Sequence, residues 1–103
     1  MNPVFAVVTA AGSGTRLGYD MPKALVKLAG ETLVERAVRG MQVLPEIVGI
    51  VVTAPPEVLS DFEKIFEGVP EVAIVAGGTV RQQSVYNGLL EIPNLAERLG
   101  YEL

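Results

Sequence analysis

Between an apolar run, Val4-Phe5-Ala6-Val7-Val8-Thr9, and the pair Pro22-Lys23 stands the segment Ala10-Ala11-Gly12-Ser13-Gly14-Thr15-Arg16-Leu17-Gly18. Residues of these types in this order suit phosphate chemistry. Glycines carry no Cβ, so backbone N–H groups can close on polyphosphate oxygens. Arg16 and Lys23 add positive charge, and the Arg16 guanidinium adds a planar fork that matches phosphate oxygens. Each residue also has a plainer use. Gly12 and Gly14 could make an ordinary strand-to-helix turn, and Arg16 and Lys23 could be solvated surface cations of little energetic weight. Two cations close behind two glycines favour the phosphate reading, with Ser13 and Thr15 contributing mostly backbone.

The spacing separates this loop from its commoner relatives. A dinucleotide-binding turn wants G-x-G-x-x-G opening into a helix, with a carboxylate at the end of the next strand for the ribose. Here Leu17 stands where the third glycine belongs, and the second apolar run ends Val52-Thr53-Ala54-Pro55 with no carboxylate. A Walker loop needs a lysine directly after its last glycine, which this segment lacks. Pro22 biases Met21 away from helical angles. The stretch from Gly12 to Lys23 therefore reads as a long loop able to wrap a triphosphate.

Composition narrows the chemistry further. The 103 residues include no cysteine and no histidine, which removes disulfides, thiol nucleophiles, imidazole acid–base catalysis and thiolate or imidazole metal sites. Any catalysis must use Lys, Arg, carboxylates and backbone. A formal charge of −4 argues against a nucleic-acid partner, which calls for a basic surface. No apolar run approaches the ~20 residues of a membrane span, and Met1-Asn2-Pro3 offers no basic region ahead of the first apolar stretch. The expectation is a cytoplasmic protein with no membrane contact, forming one domain over residues 1–103 that binds a small phosphorylated ligand.

The elements that must position the loop alternate strand and helix, which favours a parallel sheet with crossover connections. Thr32-x-x-Glu35 is a capping-box pattern. The helix it opens, of roughly three turns, is predicted to bury Leu33, Ala37, Met41 and Leu44 and to turn Glu35, Arg36, Arg39 and Gln42 outward. Ile47 to Thr53 reads as a buried strand. Pro56-Glu57 opens a second helix with Val58, Leu59, Phe62, Ile65 and Phe66 inward, ended by Gly68 and Pro70. A strand over Val72 to Ala76 runs into Gly77-Gly78. A third helix is predicted from Arg81 to Leu90 with Val85 and Leu89 inward, Gly88 permitting close packing on the sheet, and Pro93 closing the unit. A short helix over Leu95 to Leu99 and the opening of a fourth strand at Tyr101-Glu102-Leu103 complete the expectation.

Two strings together carry a family resemblance. The loop Ala10 to Gly18 with Pro22-Lys23 resembles that of sugar-phosphate nucleotidyltransferases. The second string, Gly77-Gly78-Thr79-Val80-Arg81-Gln82-Gln83-Ser84-Val85-Tyr86-Asn87-Gly88-Leu89, resembles the 2-C-methyl-D-erythritol 4-phosphate cytidylyltransferases. The resemblance covers the whole chain but only the N-terminal part of such an enzyme. It implies a Rossmann-like three-layer α/β sandwich of the nucleotide-diphospho-sugar transferase type with a largely parallel sheet, of which this chain supplies the first βαβαβα portion.

The resemblance also implies a reaction: transfer of a cytidylyl group from CTP to methylerythritol phosphate, with release of pyrophosphate, in non-mevalonate isoprenoid synthesis. It implies that the backbone of Ala10, Ala11, Gly12, Ser13, Gly14 and Thr15 surrounds the CTP phosphates, and that Arg16 and Lys23 stabilise the transition state. Gly77, Gly78 and Thr79 would lie at the cytosine with Ser84 assisting, although Ser84 could equally cap the third helix or satisfy a local backbone group. Arg81 is expected to brace the Gly-rich turn or the family's magnesium aspartate rather than to touch nucleotide or act catalytically. The family's Mg²⁺ ligand, an aspartate after the fourth strand, and an arm from a second subunit in a homodimer are expected beyond residue 103, so no metal ligand is assigned here. The domain is accordingly expected to be incomplete at its C-terminus, inactive by itself, and left with an unpaired sheet edge beside the first strand. Two other readings stay open: another sugar-, polyol-phosphate or molybdenum-cofactor nucleotidyltransferase, and a nucleotide-binding module without chemistry.

Overall fold

The computed structural model describes residues 3–10, 25, 27–28 and 30–102. In chain order these form β1 (Val4–Thr9), β2 (Lys27–Leu28), β3 (Glu31–Thr32), α1 (Leu33–Gln42), β4 (Ile47–Ala54), a 3-10 turn over Pro56–Val58, α2 (Leu59–Ile65), β5 (Val72–Ala76) and α3 (Arg81–Leu99). The main sheet has three strands in the order β1-β4-β5, all parallel. This is the expected α/β arrangement, with β1 at one margin of the sheet among the described residues.

β4 is the centre because its residues suit burial on both faces: a β-branched run from Ile50 to Thr53, fully enclosed. Alternation sends Ile50, Val52 and Ala54 to one side, where Val34 and Val38 of α1, Phe62 of α2, Phe66 and Val72 join them in one core. Val51 points to the other side and packs with Ala73 and with Leu95 of α3. Three layers result. On the α3 side Gly49 makes room for its neighbours, since a Cβ there would stand 2.6 Å from the Phe5 ring and 3.0 Å from Leu95 Cδ2.

α1 begins as its sequence predicts. Thr32 Oγ1 accepts from the Glu35 backbone N–H at 3.2 Å while the Glu35 carboxylate accepts from the Thr32 N–H at 3.0 Å. Its buried face differs from the expected one. Val34 and Val38 are buried, Met41 is partly so, and Ala37 and Leu44 are exposed. The i, i+4, i+7 stripe of two valines and a methionine offers more apolar area than one that includes Ala37, so the helix is turned by about one residue; Leu44 lies beyond its end. Just before α1, β2 and β3 pair as a small antiparallel hairpin not anticipated from the sequence. Glu31 of this hairpin reaches Arg39 at 2.7 Å and Arg36 at 3.5 Å, exposed pairs of small energetic weight.

The second helical segment keeps its expected inner set, with a 3-10 turn at Pro56–Val58 before α2 proper and with Phe62 fully buried. α3 departs most from expectation. It runs unbroken for 19 residues through Pro93, joining the two predicted helices. A proline inside a helix costs about 3 kcal/mol. Against that stand the burial of Leu95 and Ala96 and two hydrogen bonds from Arg98 Nη2, to the carbonyls of Pro70 at 3.0 Å and Val72 at 3.2 Å. Full burial of a leucine alone contributes about 1.5–3 kcal/mol. The inner face is Ser84, Gly88, Leu95 and Ala96; Val85 is half-buried and Leu89 is exposed.

Gly100, at φ +84°, ends α3 in a left-handed turn, with Gly100 N donating to Glu97 O at 3.1 Å and Tyr101 N to Ala96 O at 2.8 Å. Tyr101 and Glu102 therefore do not open a strand. The Tyr101 ring instead meets Phe5 of β1 edge-on, centroids 6.0 Å apart. Leu103 lies outside the described residues.

Candidate functional site

Because β1, β4 and β5 are parallel, their C-terminal ends meet at one edge of the sheet, with Thr9, Thr53 and Val75 in register. Backbone bonds carry the ladder past the strands. Ala10 N donates to Thr53 O at 2.8 Å, and Gly77 N donates to Ala54 O at 2.7 Å. The chain leaving β1 and the turn leaving β5 are thus fastened to opposite sides of β4, about 10 Å apart by two strand spacings. A crevice at the carboxyl ends of the strands is where open α/β sheets take ligands.

The turn after β5 is held by side chains from the first turns of α3. Gly78 N donates to Ser84 Oγ at 3.1 Å, and Ser84 is only 2% exposed. Asn87 Nδ2 donates to Ala76 O at 3.0 Å, while Gln83 Nε2 donates to Asn87 Oδ1 at 3.0 Å. A Cβ on Gly78 would collide with the Gln83 side chain, so the glycine here is required by close approach. Both glycine N–H groups are consumed internally. Neither the Gly77 nor the Gly78 carbonyl accepts a hydrogen bond from a described residue. Gly77 and Ser84 are buried and Gly78 is half-buried, so of the two carbonyls that of Gly78 belongs to the more accessible residue.

Of the residues singled out by sequence, Ala10, Gly77, Gly78 and Ser84 stand at this edge, and Ser84 satisfies a local backbone donor. Thr79 is exposed between the turn and α3. Arg81 is exposed in the first turn of α3, and its side chain makes no hydrogen bond or ion pair with a described residue. Ala11, Gly12, Ser13, Gly14, Thr15, Arg16 and Lys23 lie outside the described residues. Among the described residues no three His, Cys, Asp or Glu side chains come together as a metal site. Asp61, Glu63 and Glu67 are exposed in and just after α2.

Sequence reading missed the part played by Gln83 and Asn87. Their i, i+4 spacing was the available signal, since such amides bond along a helix face. It also missed Thr53, which is 0% exposed and whose Oγ1 has no hydrogen-bond partner among the described residues.

Comparison with known proteins adds a separate line of evidence. The family model described as "IspD: 2-C-methyl-D-erythritol 4-phosphate cytidylyltransferase" matches residues 4–99. The 2-C-methyl-D-erythritol 4-phosphate cytidylyltransferase of Rhodococcus jostii is 44% identical over 87 residues, 84% of this chain and 38% of the relative. The bifunctional enzyme IspD/IspF of Clavibacter michiganensis subsp. michiganensis is 44% identical over 88 residues, 81% of this chain and 22% of the relative. The crystal structure of 4-diphosphocytidyl-2C-methyl-D-erythritol synthase from Anaerococcus prevotii superimposes with a TM-score of 0.72 at 23% identity, covering 88% of this chain and 38% of that one, a likeness of fold. The chain thus spans 38% of the length of the Rhodococcus relative. No described helix is long and apolar enough to cross a membrane.

Proposed function

Because the chain belongs to the 2-C-methyl-D-erythritol 4-phosphate cytidylyltransferase family, we propose that it forms the CTP-binding part of an enzyme making 4-diphosphocytidyl-2-C-methyl-D-erythritol and pyrophosphate in non-mevalonate isoprenoid synthesis. The observation that carries the nucleotide choice is the turn after β5. The N–H groups of Gly77 and Gly78 are spent on Ala54 O and Ser84 Oγ, so at these two glycines it is the carbonyl oxygens that are left for a base. A cytosine amine donates to a carbonyl; the O4 of uracil would face it with a second acceptor. The Ser84 hydroxyl proton suits a ring acceptor on the same base.

In the reaction, a phosphate oxygen of methylerythritol phosphate attacks the α-phosphorus of CTP in line. The new P–O bond forms as the bond to the β-phosphoryl oxygen breaks, and pyrophosphate leaves with the electron pair. Charge grows on the equatorial oxygens and on the leaving group, so fixed cations lower the barrier without proton transfer. Arg16 and Lys23 are the cations assigned to that task, with the backbone of Ala10 to Thr15 around the phosphates. Gly77, Gly78, Thr79 and Ser84 serve the base, and Arg81, whose side chain bonds to no described residue of the turn, is given no catalytic part. The family's Mg²⁺ finds no matching donor set among the described residues, whose strand ends here carry Thr9, Ala10, Ala54 and Gly77 and no carboxylate. No step is routed through it. The same reading places the enzyme in the cytoplasm as a homodimer and holds that these 103 residues alone do not turn over.

Isothermal titration of the chain with CTP and Mg²⁺, beside UTP, GTP and a Lys23→Ala variant, tests this. CTP-selective binding weakened about tenfold or more by Lys23→Ala is expected, the scale of one lost hydrogen bond to a charged group. Binding that prefers GTP or UTP would point to a related transferase, and no binding to any nucleotide would reject the reading for this chain. CTP consumption by the isolated chain would overturn its assigned inactivity.

A further inference from the structure

We propose that Asn87 is a positioning residue for base recognition, acting through Ala76 to fix the direction of the Gly77–Gly78 turn. The inference rests on the nucleotide reading above and deepens it. The Ala76 carbonyl and the Gly77 N–H are the two ends of one peptide unit. Ala54 O holds its N–H at 2.7 Å and Asn87 Nδ2 holds its carbonyl at 3.0 Å. A planar group pinned at both ends has one orientation. The next peptide unit, Gly77–Gly78, is pinned at its N–H by Ser84 Oγ, and its planarity turns the Gly77 carbonyl away from Ser84.

Such pins matter here because two successive glycines impose almost no conformational limits of their own. A residue with a Cβ is not an alternative at Gly78, where Gln83 occupies the space. The turn must therefore be fixed from outside, and Asn87 is well placed to do it. Its amide has one workable orientation: a carbonyl only accepts, so Nδ2 faces Ala76 and Oδ1 faces the Gln83 donor. Its own position is fixed by the next residue. Gly88 is buried against the sheet, and even a Cβ there would fall 2.6 Å from Val7 Cγ1 and 3.2 Å from Thr53 Cγ2. The strands thus set the height of α3, α3 sets Asn87, and Asn87 sets the peptide plane ahead of the base-reading carbonyls. Loss of this pin leaves the first plane held at one end only, and the contrast between an amine and a carbonyl on the base blurs.

The test uses the full chain as wild type, Asn87→Ala, Asn87→Asp and the milder surface variant Gln83→Ala. Amide hydrogen exchange is read at Gly77 and Gly78, with Val51 and Val52 of β4 as the folding control, and CTP and UTP affinities are measured with Mg²⁺. Asn87→Asp keeps the size of the side chain but sets a carboxylate against the Ala76 carbonyl, so it separates donation from space filling. Both Asn87 variants are expected to speed exchange at Gly77 and Gly78 about tenfold or more with β4 unchanged, and to shrink the CTP-over-UTP preference about tenfold. Gln83→Ala should move both readouts the same way by less. An unchanged CTP-over-UTP preference overturns the proposal, as does an effect of Asn87→Ala that Asn87→Asp does not share. Should wild type bind neither nucleotide, the CTP reading falls and the recognition role with it, while the exchange rates still decide whether Asn87 holds the turn.

Discussion

Gly88 of α3 and Val7 of β1 meet with no room between them for a methyl group: a Cβ on Gly88 would stand 2.6 Å from Val7 Cγ1. Val7 is β-branched and held in a strand, so it cannot swing aside as the end of a long side chain would. The approach brings Ser84 and Asn87, on the adjacent turn of the same helix, down to the strand ends where the turn after β5 is fastened.

Gly88→Ala is therefore expected to destabilise the protein even though alanine is the better helix former. Overpacking costs about 1–3 kcal/mol, and the helix gains at most about 1 kcal/mol from losing a glycine. The net loss, about 1 kcal/mol, lowers the melting temperature by roughly 4–8 °C in a domain of this size. Thermal unfolding followed by circular dichroism measures it. Val7→Ala in the same chain should recover part of the loss, giving a coupling between the two sites in a double-mutant cycle; a stabilising Gly88→Ala would mean that α3 does not sit this close to β1.

Pro93→Ala is expected to do the opposite. Pro93 lies on the exposed side of α3, so its ring contributes little packing, yet it removes the N–H that would bond to the Leu89 carbonyl. Replacement restores that bond and removes the ring's clash, worth up to about 3 kcal/mol, less about 0.4–1 kcal/mol for the freer unfolded chain. A gain of about 2 kcal/mol in urea unfolding is the expected result. A loss would show that α3 is broken at Pro93 in solution, as its sequence first suggests.

That difference shows where local pattern stops informing. Ile47 to Thr53 is legible as a buried strand because an apolar, β-branched run closed by Pro55 has few other uses. The glycines at 77 and 78 are legible as the turn that ends β5 for a similar reason. The continuity of α3 is not, because it depends on Leu95 and Ala96 finding the sheet and on Arg98 finding the Pro70 carbonyl, 28 residues away. The buried face of α1 was misassigned by one residue, since Ala37 and Val38 both satisfy a coarse helical period and only the packed sheet distinguishes them. The bond from Asn87 to Ala76 is hidden for a third reason: i, i+4 spacing signals the contact with Gln83, but which carbonyl the other amide atom meets, 11 residues away, is decided only by the packed sheet.

Thr53 gives the last expectation. Its backbone carbonyl accepts from Ala10 N at 2.8 Å and helps to fasten the β1 loop, but its hydroxyl is fully enclosed with no hydrogen-bond partner among the described residues. An enclosed hydroxyl without a partner costs about 1–3 kcal/mol relative to water. Thr53→Val keeps the branched shape, the contact beside Gly88 and the backbone bond while removing that cost. It should stabilise the protein by about 1 kcal/mol in urea unfolding, whereas Thr53→Ser keeps the hydroxyl, loses the methyl beside Gly88 and should destabilise. If Thr53→Val instead lowers stability, the hydroxyl is partnered in solution, and a companion titration with CTP then separates the sources. A loss of CTP affinity larger than the loss of stability would place that partner in the nucleotide crevice, and an unchanged affinity would place it in the protein interior.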